Sequence, residues 1–147
     1  MNQNQGQKAN ATGQEAEDII AGVLIRKGCR VERQVALGAS IYGTPIYADF
    51  RVVGLKQYPE GLIIECKWQS ASGSVDEKFP YLVLNIKERF PLPTMVVLSG
   101  KGYKPGAEEW LRRQVDDWLV AVMDLEAFIT WMMNTEAAGE IIKQTLW

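Results

Sequence analysis

Three side chains stand out for the chemistry that their types and spacing permit: Asp49 and, sixteen positions on, Glu65 and Lys67 of Glu65-Cys66-Lys67. The second group sits in Gly61-Leu62-Ile63-Ile64-Glu65-Cys66-Lys67-Trp68-Gln69, which reads as a buried strand. Strand side chains alternate between faces, so Ile63, Glu65, Lys67 and Gln69 share one side, with Ile64, Cys66 and Trp68 on the other. Burying such charges is costly unless they are paired or hold a metal. Asp49, between Ala48 and Phe50, is poorly placed for a solvent face, and on a neighbouring strand it reaches Glu65 and Lys67. Two close carboxylates repel, and a shared divalent cation or proton relieves them. Oxygen ligands favour Mg²⁺ or Mn²⁺, and the backbone carbonyl of Cys66 is a further donor. Lys67 could orient or deprotonate the attacking water, or stabilise a phosphorane-like transition state. This set suits phosphodiester hydrolysis.

Composition narrows the alternatives. There is no histidine, which removes Ser-His-Asp and Cys-His catalysis and His-ligated zinc. The 147 residues, 47% hydrophobic and 23% charged, fit one soluble domain with a real core. No apolar run approaches the ~20 residues that span a bilayer, and the Asn- and Gln-rich start has no apolar signal core. Cys29 and Cys66 make no disulfide framework, so a reduced cytoplasmic setting is expected. A net charge of −2 means that nucleic-acid binding would need local basic clusters or oligomerisation.

The elements that must position these residues can be read in order. Residues 1–11 read as a mobile polar tail and 12–147 as a single domain. Thr12, with Glu15 completing a capping box, starts a helix to 27. Its apolar face is Ala16, Ile19, Ile20, Val23 and Leu24, and Gly28 ends it. Strands follow over 31–37 and 46–55, and with 61–69 they form an antiparallel meander. Residues 70–74 are a small-residue loop. Ser74, with Glu77, caps a helix to 89, and an apolar run at 95–98 is a buried strand. Pro105 opens a helix over 106–115, 118–123 is a further strand, and Asp124 caps an aromatic, Met-rich helix. A final helical piece spans 136–146. This order (α-β-β-β-α-β-α-β-α) predicts an α/β fold with a central mixed sheet flanked by helices.

With Asp49 followed by Glu65-Cys66-Lys67 in that order of elements, the chain resembles the PD-(D/E)xK nuclease superfamily over residues 12–124, with its restriction endonuclease-like core. The resemblance implies a Mg²⁺-dependent phosphodiesterase acting on DNA, with Asp49 and Glu65 as metal ligands and Lys67 as the catalytic lysine. Members often carry another Glu on the first helix. Glu17 matches it best, because it borders the apolar face whereas Asp18 points away; Glu15 is the alternative. Gln69 matches a polar position beyond the lysine in some branches. The motif's proline is Ala48 here, a position that only shapes the strand.

Plainer readings stand beside these. Glu65 and Lys67 also fit a same-face ion pair, Asp49 fits a pair with Arg51, Glu17 an exposed helix glutamate, and Gln69 a solvated strand end. Lys101, Tyr103 and Lys104, with Lys78, Lys87 and Arg89, are candidates for nucleic-acid contact. Arg112 and Arg113 are more simply paired with Glu108 and Glu109. Duplex or branched DNA and a second copy of the chain, in a homodimer with two sites for two strands, are the expected partners. The competing readings are a non-catalytic DNA- or protein-binding module of the same fold, in a phage, mobile-element or restriction system, and an RNA-directed nuclease.

Overall fold

The expected meander is present and anchors a larger sheet. A computed structural model of the chain describes residues 2–69 and 74–137, with side chains from residue 13 onward. The first helix, α1 (Asn2–Arg26), leads into β1 (Arg30–Ala39), β2 (Pro45–Val53) and β3 (Leu62–Gln69). After α2 (Phe79–Glu88) come β4 (Thr94–Gly100), α3 (Pro105–Arg113), β5 (Leu119–Asp124) and α4 (Leu125–Met133). The strands lie side by side in chain order, β1-β2-β3-β4-β5. The β1–β2 and β2–β3 pairs are antiparallel, whereas β3–β4 and β4–β5 are parallel.

The parallel half explains why β3 and β4 are so apolar. Strands joined through crossover helices are covered on both faces, and their sequences lose polar alternation. Leu62 to Ile64 and Met95 to Leu98 are accordingly buried. One core half packs α1 and α4 on the sheet through Ile20, Leu24, Phe50, Ile64, Phe128 and Met132. The other packs α2 and α3 through Ile63, Phe79, Leu82, Ile86, Val96 and Leu111. The buried positions of α2, Phe79, Leu82, Val83 and Ile86, follow helical spacing.

Several local expectations are corrected. The helix is continuous from Asn2, where a tail was expected, so Thr12 and Glu15 are interior positions rather than cap and capping-box partner. The first eleven residues hold no proline and include several good helix formers, and extending an anchored helix costs little per residue. Within α1, Ile19 lies 44% exposed, and Ala21 takes its place in the core. The segment leading into α2 winds first as a single 3-10 turn, Asp76–Lys78. Ser74 contributes its carbonyl to the Glu77 N–H at 3.2 Å, and Pro80, with no N–H to give, sits in the first turn of α2. Glu136 and Ala137 run extended against Lys56 and Leu55, so no helix begins at 136; the rest of that expected piece, and loop residues 70–73, lie outside the described residues. Asp124 does cap α4, accepting the Ala127 N–H at 2.7 Å.

Gly100 closes β4 with φ +86°, and a side chain there would run into the Gln69 carbonyl. That carbonyl takes the Lys101 N–H at 2.8 Å, which turns the chain out of the sheet beside the end of β3.

Ile64 is fully buried at the centre of β3, against α1. Ile64→Ala should lower stability by about 3 kcal/mol. In urea denaturation this appears as a lower midpoint at unchanged slope, and an unchanged midpoint would contradict the packing.

Candidate active site

The site forms where β2 and β3 part. Their backbone pairing ends at Phe50 opposite Ile64. One residue further, ladder bonds give way to side-chain bonds. The Cys66 N–H donates to Asp49 Oδ2 at 2.8 Å, and the Asp49 N–H donates to Glu65 Oε1 at 3.4 Å. Each carboxylate thus satisfies a backbone group that the diverging strands leave open.

On its other side, β2 is paired to β1 with one position omitted. Arg33 faces Phe50 and Val35 faces Ala48, but Gln34 and Asp49 are not paired. Gln34 has φ +51°, the only positive φ outside glycine among the described residues, and its Nε2 donates to Asp49 Oδ1 at 3.4 Å. Ala48 and Phe50, two apart on β2, belong to opposite halves of the core. The strand therefore rolls over at Asp49. Gln34 was missed by sequence reasoning, because a glutamine between Arg33 and Val35 breaks no pattern.

Glu65 is 4% exposed, and its Oε2 lies 3.8 Å from Lys67 Nζ. Burial and then the charge of Asp49 push its carboxyl up to about 8, against the opposing pull of Lys67. Glu17 is raised for the same leading reasons, burial and then Asp49, and feels both Arg33 and Lys67. It therefore stands within electrostatic reach of the group, while Asp18 turns to Gln14 and Arg33 at 3.0 and 3.1 Å. Cys66 packs its side chain into the α1 side of the core, and burial raises its thiol. Arg51 Nη2 donates to both carboxylate oxygens of Glu32, at 3.0 and 2.9 Å, so the alternative Asp49–Arg51 pair does not form.

The structure separates the remaining candidates. Gln69 is buried, with Nε2 donating to the Gly102 carbonyl at 2.7 Å and Oε1 accepting the Val75 N–H at 3.1 Å. Its carboxamide anchors two loops and is neither a solvated strand end nor aimed at the acids. The Tyr103 hydroxyl lies 2.8 Å from the Lys67 carbonyl and 2.9 Å from that of Ser99, while its ring stacks on Phe79. That ring is a prop for β3, not a free stacking platform. Lys101 and Lys104 are exposed on the same loop. Lys87 pairs with Asp116 at 3.0 Å, and Arg112 and Arg113 pair with Glu108 and Glu109, as their spacing implied. Lys78, by contrast, lines a cavity together with Glu65 and Lys67.

Among the described residues, no three acidic or cysteine groups gather around one point. The donor set is the pair Asp49 and Glu65, with the Cys66 carbonyl on the strand edge that its N–H occupies. Such a set fits Mg²⁺, which commonly takes one or two carboxylates and keeps several waters. The raised Glu65 carboxyl points the same way, because a cation there would relieve the repulsion from Asp49.

A mixed five-stranded sheet flanked by four helices, with an acid on β2 and Glu-x-Lys on β3, is the restriction endonuclease-like arrangement. A family model described as a PD-(D/E)XK nuclease superfamily domain matches residues 8–136, and the chain belongs to that superfamily. Proteins of this superfamily are generally nucleases and typically use divalent metals. No curated protein and no solved structure matches the chain.

A carboxyl raised on folding from near 4.5 to about 8 contributes stability below pH 4.5 that is lost as pH rises through 8. In chelator, Glu65→Gln should gain on the wild type across that window, by at most about 5 kcal/mol. Denaturation at pH 4.5 and pH 9 measures it, and equal differences at both would refute a buried, raised Glu65.

Proposed function

We propose that the chain is a Mg²⁺- or Mn²⁺-dependent endonuclease that hydrolyses phosphodiester bonds in DNA. The observation that carries this reading is the pair of bonds across the parted strands, Cys66 N–H to Asp49 Oδ2 and Asp49 N–H to Glu65 Oε1, with Lys67 Nζ 3.8 Å from Glu65. Asp49 and Glu65, with the Cys66 carbonyl, would hold the cation, which when bound supplies Lewis-acid stabilisation of charge on the phosphate. Glu17 lies close enough to add its charge from α1.

Hydrolysis places a water oxygen on phosphorus and breaks one P–O bond; the water gives up a proton and the leaving oxygen gains one. Lys67 can donate hydrogen bonds to a non-bridging oxygen as its charge grows, or orient the attacking water. Lys78, exposed beside the same cavity, supplies a phosphate contact outside the reacting bond. With a net charge of −2, long-range attraction to DNA is weak, so binding rests on such local cations. Two copies of the chain would bring one site to each strand, and the setting is a reducing, cytoplasmic one.

With Mg²⁺ or Mn²⁺, purified protein should cut DNA, and EDTA should abolish cutting. Lys67→Ala should reduce the rate by roughly 10²–10³-fold with its thermal melt unchanged; undiminished cutting would remove Lys67 from the chemistry. Calorimetric titration with Mn²⁺ should show binding that Asp49→Asn weakens, a readout independent of activity. Metal binding absent in both, together with DNA binding without cleavage, would identify a binding module instead. Competition between DNA and RNA substrates tests the choice of nucleic acid.

A further inference from the structure

A cavity of about 370 Å³ opens beside the candidate active site on the α2 side of the sheet. Glu65 and Lys67 form part of its wall, so an occupant lies against the groups proposed to carry the chemistry. Its apolar lining is Ile46, Leu82 and Phe90. Tyr81 adds an aromatic face held by a neighbouring ring. Its ring stacks on Tyr42, with centroids 5.3 Å apart and planes 22° from parallel. Asn85 is only 3% exposed, and its Oδ1 accepts the Ile41 N–H at 2.9 Å. That bond ties the part of the wall Asn85 forms to the β1–β2 hairpin. Lys78 lies one helical turn before Tyr81, on the same side of that segment.

An apolar floor, a stacked aromatic wall, a buried amide and a cation are what a flat aromatic group with a polar edge and an attached phosphate requires. The volume admits one such group and not a duplex, whose grooves alone are roughly 12 and 6 Å wide. Burying a phosphate against the apolar side chains is costly, which leaves Lys67 and Lys78 for phosphates outside the cavity.

We propose that this cavity seats one unpaired nucleobase next to the phosphodiester being cut, so that the substrate class is nucleic acid with an unstacked nucleotide. Single strands, frayed ends and branch points supply such a base, whereas intact duplex must first extrude one at a cost in unstacking. The substrate assignment rests on the nuclease reading, but occupancy of the cavity by a base does not.

The test uses full-length protein in EDTA, where binding is read without cleavage. Short single-stranded DNA carrying 2-aminopurine at successive positions is titrated with protein, and its quenching by acrylamide is followed. One position should become shielded, and single strand should bind more tightly than the matched duplex. Tyr81→Ala should weaken single-strand binding about tenfold and leave duplex binding unchanged, whereas Tyr81→Phe should retain most of it. Equal accessibility at every position in the wild type would overturn the proposal even if Tyr81→Ala failed to fold. Cleavage of intact duplex that is indifferent to Tyr81→Ala would overturn it while leaving the nuclease reading in place. Base shielding without cleavage under any metal would do the reverse.

Discussion

The structure turns on how two strands separate without leaving their backbones unsatisfied. A ladder that stops inside a core strands N–H groups in a place water scarcely reaches, and each such group costs free energy. Here the ladder stops at Phe50 and Ile64, and the next donors are taken by carboxylates: Cys66 N–H by Asp49, Asp49 N–H by Glu65. The acids are therefore held by the fold and at the same time hold it together. Their placement follows from main-chain geometry, which is stiffer than a side chain on a loop. The arrangement also concentrates charge. Glu65 is buried beside Asp49, and that repulsion is what a bound cation would remove.

Parted strands also make the site accessible from two directions. From the α1 side, Glu17 is near enough for Asp49 and Lys67 to perturb it. From the α2 side, the cavity bounded by Lys78, Tyr81 and Asn85 reaches Glu65 and Lys67. A closed ladder would keep these two layers apart, because an intact sheet is a wall between its faces. The roll of β2 at Asp49, matched by the positive φ of Gln34 on β1, is the local distortion that opens it. A glutamine in that conformation costs on the order of 1 kcal/mol and persists only where its surroundings hold it. Its contact with Asp49 Oδ1 is part of that hold.

The sequence carried the element order and the pairing of Asp49 with Glu65 and Lys67, because both are written in local pattern. A buried apolar strand with a charged pair has few folded solutions, and the strand's period puts that pair on one face. What stayed illegible depends on contacts between segments distant in the chain. Gln34 looks like any strand residue until β2 rolls beside it. Tyr81 and Asn85 read as ordinary positions of an amphipathic helix until Ile41 and Tyr42 arrive from the β1–β2 hairpin to brace them. The capping boxes at Thr12 and Ser74 fit the motif, but a side-chain cap is one weak interaction among several and tertiary packing can set a helix start elsewhere.

Gln69 and Tyr103 show why polar residues near a motif are ambiguous. Gln69 ends β3 and Tyr103 lies against it, and both have groups suited to chemistry. In the folded chain those groups are spent on backbone: Gln69 ties the end of β3 to residues 75 and 102, and the Tyr103 hydroxyl rests between the carbonyls of Lys67 and Ser99. Their effect on the site is indirect but physical. The position of the Lys67 ammonium depends on its main chain, and the Tyr103 hydroxyl reaches the Lys67 carbonyl from the loop after β4. The end of β3 is thus pinned along one edge by neutral hydrogen bonds and along the other by carboxylates. Only the second edge carries charge that a cation could share, and it lies on the side of β3 where β2 departs.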